Sequence, residues 1–118
     1  MNEGDDLEAQ VEHLRLRSSE ATAKGGQAFA GLLSLAETRD SGQIRRIVQF
    51  IASTYSGEAF PFDLFDLRGL DVAIGDDMLL CLDALRWAKT DLHQLVPDGG
   101  RRVENVIARW GLEWPEVK

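Results

Sequence analysis

Carboxylates are the side chains here best supplied for chemistry. Glu58, Asp63, Asp66, Asp71, Asp76, Asp77, Asp83 and Asp91 crowd one stretch, countered by Arg68, Arg86 and Lys89. A hard cation such as Mg²⁺ needs several such oxygens converging on one point. Asp76 and Asp83 share a helix face by their spacing of seven, but they are two turns apart, roughly 10 Å along the axis. That is too far to chelate one ion unless Asp63 or Asp66 folds in. The plainer expectation is structural: Asp71 at a helix start, where negative charge is favoured, and Asp83 paired with Arg86 at i+3. No metal site is expected.

Nucleophilic catalysis needs a thiol beside a base. Cys81 falls on an apolar helix face, where a free cysteine packs as a small hydrophobe. His13 and His93 lie in an N-terminal arm and a connector. Gly25-Gly26 and Gly99-Gly100 lack the following Lys-Ser or Lys-Thr of a phosphate loop and read as helix punctuation. No catalytic residue and no cofactor is expected.

Arginines offer a different chemistry. Arg45 and Arg46 lie on one predicted helix, and Arg101, Arg102 and Arg109 on the last. If those helices are neighbours, the five make a basic face for phosphate. The formal net charge of -7 opposes approach to nucleic acid, so the expected partner is protein, foreign or a second copy. An acidic surface that imitates DNA and occupies a DNA-binding protein is a further alternative.

Aromatic residues supply the remaining candidates. Phe50 lies off its helix's apolar stripe, and Phe60, Phe62 and Phe65 follow in a connector too apolar for a solvated loop. With Trp114 they make a candidate protein interface, since surplus apolar surface on a small domain marks association. Phe62, Phe65 and Trp87 are expected in the core rather than outside it.

The elements that position these groups are helical. At 118 residues the chain suits one domain. Residues 1–26 form an arm, partly ordered or helical, frayed over residues 1–6. In it Leu7, Val11, Leu14 and Ala21 follow four-and-three spacing for about two heptads, and Gly25-Gly26 ends it. A helical domain over 27–112 carries four main helices, and residues 113–118 are a short tail. The first helix, Gln27 to Glu37, shows Phe29, Leu32, Leu33 and Ala36. The second, Ser41 to Tyr55, shows Ile44, Ile47, Val48, Ile51 and Tyr55, with an Asp40/Gln43 capping box. The third, Leu70 to Lys89, is apolar nearly all round and reads as central. The last carries Val103, Val106, Ile107 and Trp110 and closes at Gly111-Leu112 in a Schellman turn.

No segment alternates with period two, so the expected class is an all-α, compact single-domain bundle. No apolar run reaches the ~18 residues of a membrane span. One cysteine, an acidic N-terminus without an apolar leader core, and no span together predict a cytoplasmic protein with no membrane partner.

Residues 40–50 (DSGQIRRIVQF) and 62–79 (FDLFDLRGLDVAIGDDML) together resemble a family of small uncharacterised bacterial domains of proteobacterial plasmids and integrating conjugative elements. Ser41-Gly42-Gln43, Arg46, Val48, Phe62-Asp63-Leu64, Asp66-Leu67, Asp71, Ala73-Ile74 and Asp76-Asp77-Met78 carry the likeness, over roughly residues 32–88. It implies a mobile-element setting and no assigned activity.

Overall fold

The computed structural model describes residues 3–116. Its elements are α1 (Glu3–Thr38), α2 (Gly42–Tyr55), α3 (Val72–Trp87) and α4 (Gly99–Arg109), with 3-10 turns at Leu64–Gly69 and Leu92–Leu95. The fold is all-α, with no strand among the described residues. Residues 1–2 of the expected frayed start, and 117–118 of the tail, lie outside the described residues.

The largest departure from expectation is α1. The arm and the first helix are one continuous element of 36 residues, helical from Glu3. At 1.5 Å per residue it runs about 54 Å, close to the molecule's longest extent of 58 Å. Gly25-Gly26 does not end it. Both glycines are buried and helical: α3 crosses α1 at Gly25, and Leu95 packs on Gly26. A Cβ on Gly25 would overlap the Ala84 Cβ and stand 2.8 Å from the Leu80 carbonyl oxygen. Each glycine costs a helix about 1 kcal/mol relative to alanine. Here the missing side chain lets two backbones approach, and the packing gained offsets that cost. The Cys81 thiol points at the Gly25 carbonyl, 3.8 Å away.

The α1–α3 pair is the most extensive helix contact in the molecule. From α1 come Ala21, Ala28, Phe29, Leu32, Leu33 and Ala36, all buried; from α3 come Met78, Cys81 and Ala84. α3 ends beside Ser18, whose hydroxyl donates to the Trp87 carbonyl at 2.8 Å. The central helix is therefore α1. α3 fully buries one narrow stripe, with Ile74 and Trp87 half-buried, and exposes its leucines.

α2 and α4 bury most of the stripes that their spacing predicts: Ile44, Ile47, Val48 and Ile51 on α2; Val103, Val106 and Ile107 on α4, while Tyr55 and Trp110 are half-buried. Gly111 has a φ of 70°, a left-handed conformation that glycine adopts without strain. The Leu112 amide donates to the Ile107 carbonyl and the Gly111 amide to that of Ala108, both at 3.1 Å. These are the two bonds of a Schellman turn. The start of α2 is built differently from the expected capping box. Ser41 is the N-cap, with no side-chain bond. Gln43 instead reaches across to α3, where its amide donates to the Asp71 carboxylate at 3.1 Å and its carbonyl accepts from the Asp71 amide.

Two glycines on α1 separate these effects. A Cβ added at Gly31 would meet nothing within 4 Å, so Gly31→Ala should raise stability by about 0.5–1 kcal/mol. Gly25→Ala should lower it by about 2 kcal/mol or more, as overpacking against an unyielding backbone does. Thermal melts of both variants measure the difference. Similar effects at the two sites would mean that α3 does not press on Gly25.

Candidate functional site

Of the aromatic candidates, the structure withdraws Phe50 and Phe60 from the surface. Phe50 is only 2% exposed and Phe60 is buried. Phe50 lies off the α2 stripe as its spacing says, but the segment between α2 and α3 folds over that side. The Phe62 ring meets it edge-on at 5.5 Å. Phe62 is half-buried and closes this contact. Phe65, expected inside, stands 71% exposed on the 3-10 turn that Asp63 caps by accepting from the Phe65 amide at 3.0 Å. Its ring carries the Arg68 guanidinium at 5.1 Å. Trp114 folds back so that its ring meets Phe60 at 4.7 Å and Tyr55 at 6.3 Å, leaving it half exposed. Trp87 is half-buried between the guanidiniums of Arg17 and Arg86, at 5.2 and 5.3 Å.

Sequence periodicity misses an apolar surface on α3. Val72, Leu79, Leu82 and Leu85 of α3 are exposed, as is Leu64 on the adjoining turn. Leu79, Leu82 and Leu85 recur every three residues and track obliquely along the helix. Leu82 and Leu64 also line a groove of about 220 Å³ with Phe50, Pro61, Phe62 and Leu67. The face has an acidic margin: Asp76 and Asp83 lie one turn either side of Leu79, and Asp83 holds Arg86 at 3.5 Å. The sequence carries one sign of this face, the excess of leucine around α3. It reads equally well as a helix buried on all sides.

Four of the five candidate arginines are engaged by other groups of the chain. Arg102 forms two hydrogen bonds with the Glu37 carboxylate, at 2.6 and 2.9 Å, and holds that carboxyl below the usual carboxylate range. Arg109 donates to the carbonyls of Ala36 and Glu37, and the Trp110 indole N–H donates to that of Ala36 at 3.2 Å. Three side chains of α4 and its cap thus satisfy the carbonyl and carboxylate groups at the end of α1, where a helix leaves acceptors without internal partners. Arg46 sits 4.0 Å from the Asp66 carboxylate and lies against Gly69. Arg101 pairs with Asp98 at 3.1 Å, and Arg45 is exposed on α2.

Burial and the nearby Asp77 carboxylate push the Cys81 thiol up to about 12, so it stays protonated at neutral pH. Among the described residues no three His, Cys, Asp or Glu side chains converge as ligands for one metal ion. Among the same residues no helix is long and apolar enough to cross a membrane.

Residues 26–111 match the model of DUF7673, a family of unknown function, and the chain belongs to that family. The match includes the leucine face and begins beside Gly25, so the preceding turns of α1 lie outside it. No curated protein and no solved structure matches the chain.

Two substitutions probe these placements. Phe50→Ala should cost about 3–5 kcal/mol, the usual cost of truncating a buried phenylalanine, measured by denaturant unfolding. A loss below about 1 kcal/mol would return Phe50 to the surface. The Glu37 carboxyl titrates lower in the folded chain than in the unfolded one. Its contribution is therefore complete above pH 4.5, the ordinary value, and is lost as pH falls below it. Glu37→Gln should lower stability by about 1 kcal/mol at neutral pH and make the acid limb of a melting-temperature profile shallower. An unchanged acid limb would show that the Arg102 pair does not contribute.

Proposed function

We propose that this chain is a non-enzymatic accessory protein that works by holding a second protein against the leucine face of α3. The observation that carries this reading is the exposure of Val72, Leu79, Leu82 and Leu85 along one helix of a small domain. Monomeric proteins rarely leave contiguous apolar surface of this kind open, and such surface marks protein association. The groove beside Leu82 supplies a concave seat for one apolar anchor, and the exposed Phe65 follows Leu64, one of its lining residues, in the chain. The partner's chemistry follows from the margin: Asp76 favours an apolar anchor flanked by lysine or arginine, as on a basic amphipathic helix, while Asp83 is already paired with Arg86.

The protonated, buried Cys81 thiol supports the non-enzymatic part of the reading. The engagement of Arg102 and Arg109 by α1, and of Arg46 by Asp66, weighs against the nucleic-acid alternative. The likeness to domains of plasmids and integrating conjugative elements adds to the proposal that protein and partner are encoded on one mobile element.

The test uses wild type and a Leu79→Asp/Leu85→Asp double variant as baits against native-host lysate, with washes at low and raised salt. Both positions are already exposed, so the variant should melt within a degree or two of wild type. The expected result is a partner identified by mass spectrometry that wild type retains, raised salt weakens and the variant loses. A partner retained equally by both baits, or none at all, would contradict the reading.

A further inference from the structure

A second surface, on α1 and separate from the α3 face, points to a different partner. The spacing of Leu7, Val11, Leu14, Ser18, Ala21, Gly25, Ala28 and Leu32 alternates four and three without interruption. All eight therefore lie on one seam of one helix. From Ala21 onward the seam is covered by α3 and the core. At Ser18 the cover stops, because α3 ends with its Trp87 carbonyl on the Ser18 hydroxyl. The fifteen residues before that point extend about 22 Å beyond α3. Their seam continues with Leu14, Val11 and Leu7, and Val11 at its middle is 65% exposed. That leaves a run of apolar side chains on α1 without tertiary cover.

We propose that a second copy of this chain supplies the cover, with the two projecting stretches paired antiparallel about a two-fold axis near their middle. The charge sequence along α1 selects this occupant. The distal half carries Asp6 and Glu8; the proximal half carries Arg15 and Arg17 with one carboxylate, Glu12, which pairs with Arg15, so it keeps one cation in excess, Arg17. Antiparallel pairing lays each acidic half along the other copy's basic half, whereas parallel pairing lays like along like. It also sends the two bodies to opposite ends. A parallel pair would bring both α3 helices to the same side of the same seam. In the antiparallel pair each α1 enters where the other copy's α3 leaves off, so its positive N-terminus approaches the negative C-terminus of that helix. The interface is self-complementary, as a closed two-fold dimer requires.

Sedimentation equilibrium of the full chain over a micromolar-to-millimolar series tests the assignment. Wild type should reach twice the 13.1 kDa chain mass. Val11→Glu/Leu14→Glu alters two exposed positions and should remain folded and monomeric throughout. Arg15→Glu/Arg17→Glu should weaken the dimer by roughly tenfold, and adding Asp6→Lys/Glu8→Lys in the same chain should restore it. A wild type that stays monomeric at the highest concentration overturns the proposal. So does a dimer that survives Val11→Glu/Leu14→Glu, or one that the four-fold charge exchange fails to restore. Leu79→Asp/Leu85→Asp should leave the dimer intact, which keeps this outcome separate from that of the α3 face.

Discussion

The contact between Gly25 and Ala84 sets the geometry of the rest. Two helix backbones meet there with no side chain between them on one side and a single methyl on the other. A larger residue at either place lifts α3 off α1 and withdraws Met78 and Cys81 from the core that Phe29, Leu32 and Leu33 complete. Because the approach is close, α3 buries only a narrow stripe of Met78, Cys81 and Ala84. Its leucines fall outside that stripe and remain on the surface. The tight seat of α3 and the apolar face it presents are two results of one constraint.

The far end of α1 is held by different physics. Glu37 meets Arg102, and the last carbonyls accept from Arg109 and Trp110. These groups would otherwise be left wanting partners at a helix C-terminus. α4 is thereby fixed to α1 by polar contacts as well as by Val103, Val106 and Ile107. Two of the five arginines that look available for phosphate in the sequence, Arg102 and Arg109, are engaged in this internal work, and Arg46 and Arg101 pair with Asp66 and Asp98. An acidic chain that uses its cations to close its own fold presents aspartates around its apolar surface, which bears on the partner it suits.

How much of this is legible in the sequence differs by element. α2 and α4 each bury an apolar stripe, so periodicity marks both helices and most of their buried residues, Phe50 excepted. The turn at Gly111 is legible because its requirement, a positive φ before a returning leucine, is local. Gly25-Gly26 misleads because a glycine that ends a helix and one that admits a neighbouring backbone look alike in sequence. Only Ala84, 59 positions away in the chain, tells them apart. Periodicity puts Phe50 outside because it does not see a non-helical segment folding over a helix. The α3 leucines suggest burial on every side, since hydrophobicity records what prefers to be covered and not what is covered. No local signal places Arg102 on Glu37.

The central claim is that one unbroken helix passes through Gly25-Gly26 and carries everything else. Spin labels at Gln10 and Ser34, both exposed on α1, measure this directly by pulsed dipolar spectroscopy at a concentration and spin dilution that isolate the intramolecular distance. A continuous helix separates the two backbones by about 36 Å, 24 residues at 1.5 Å each, and predicts one narrow distribution centred near that value. A broad distribution, or one displaced to markedly shorter distances, would mean that the chain bends at the glycines and that α1 is not the spine of the fold.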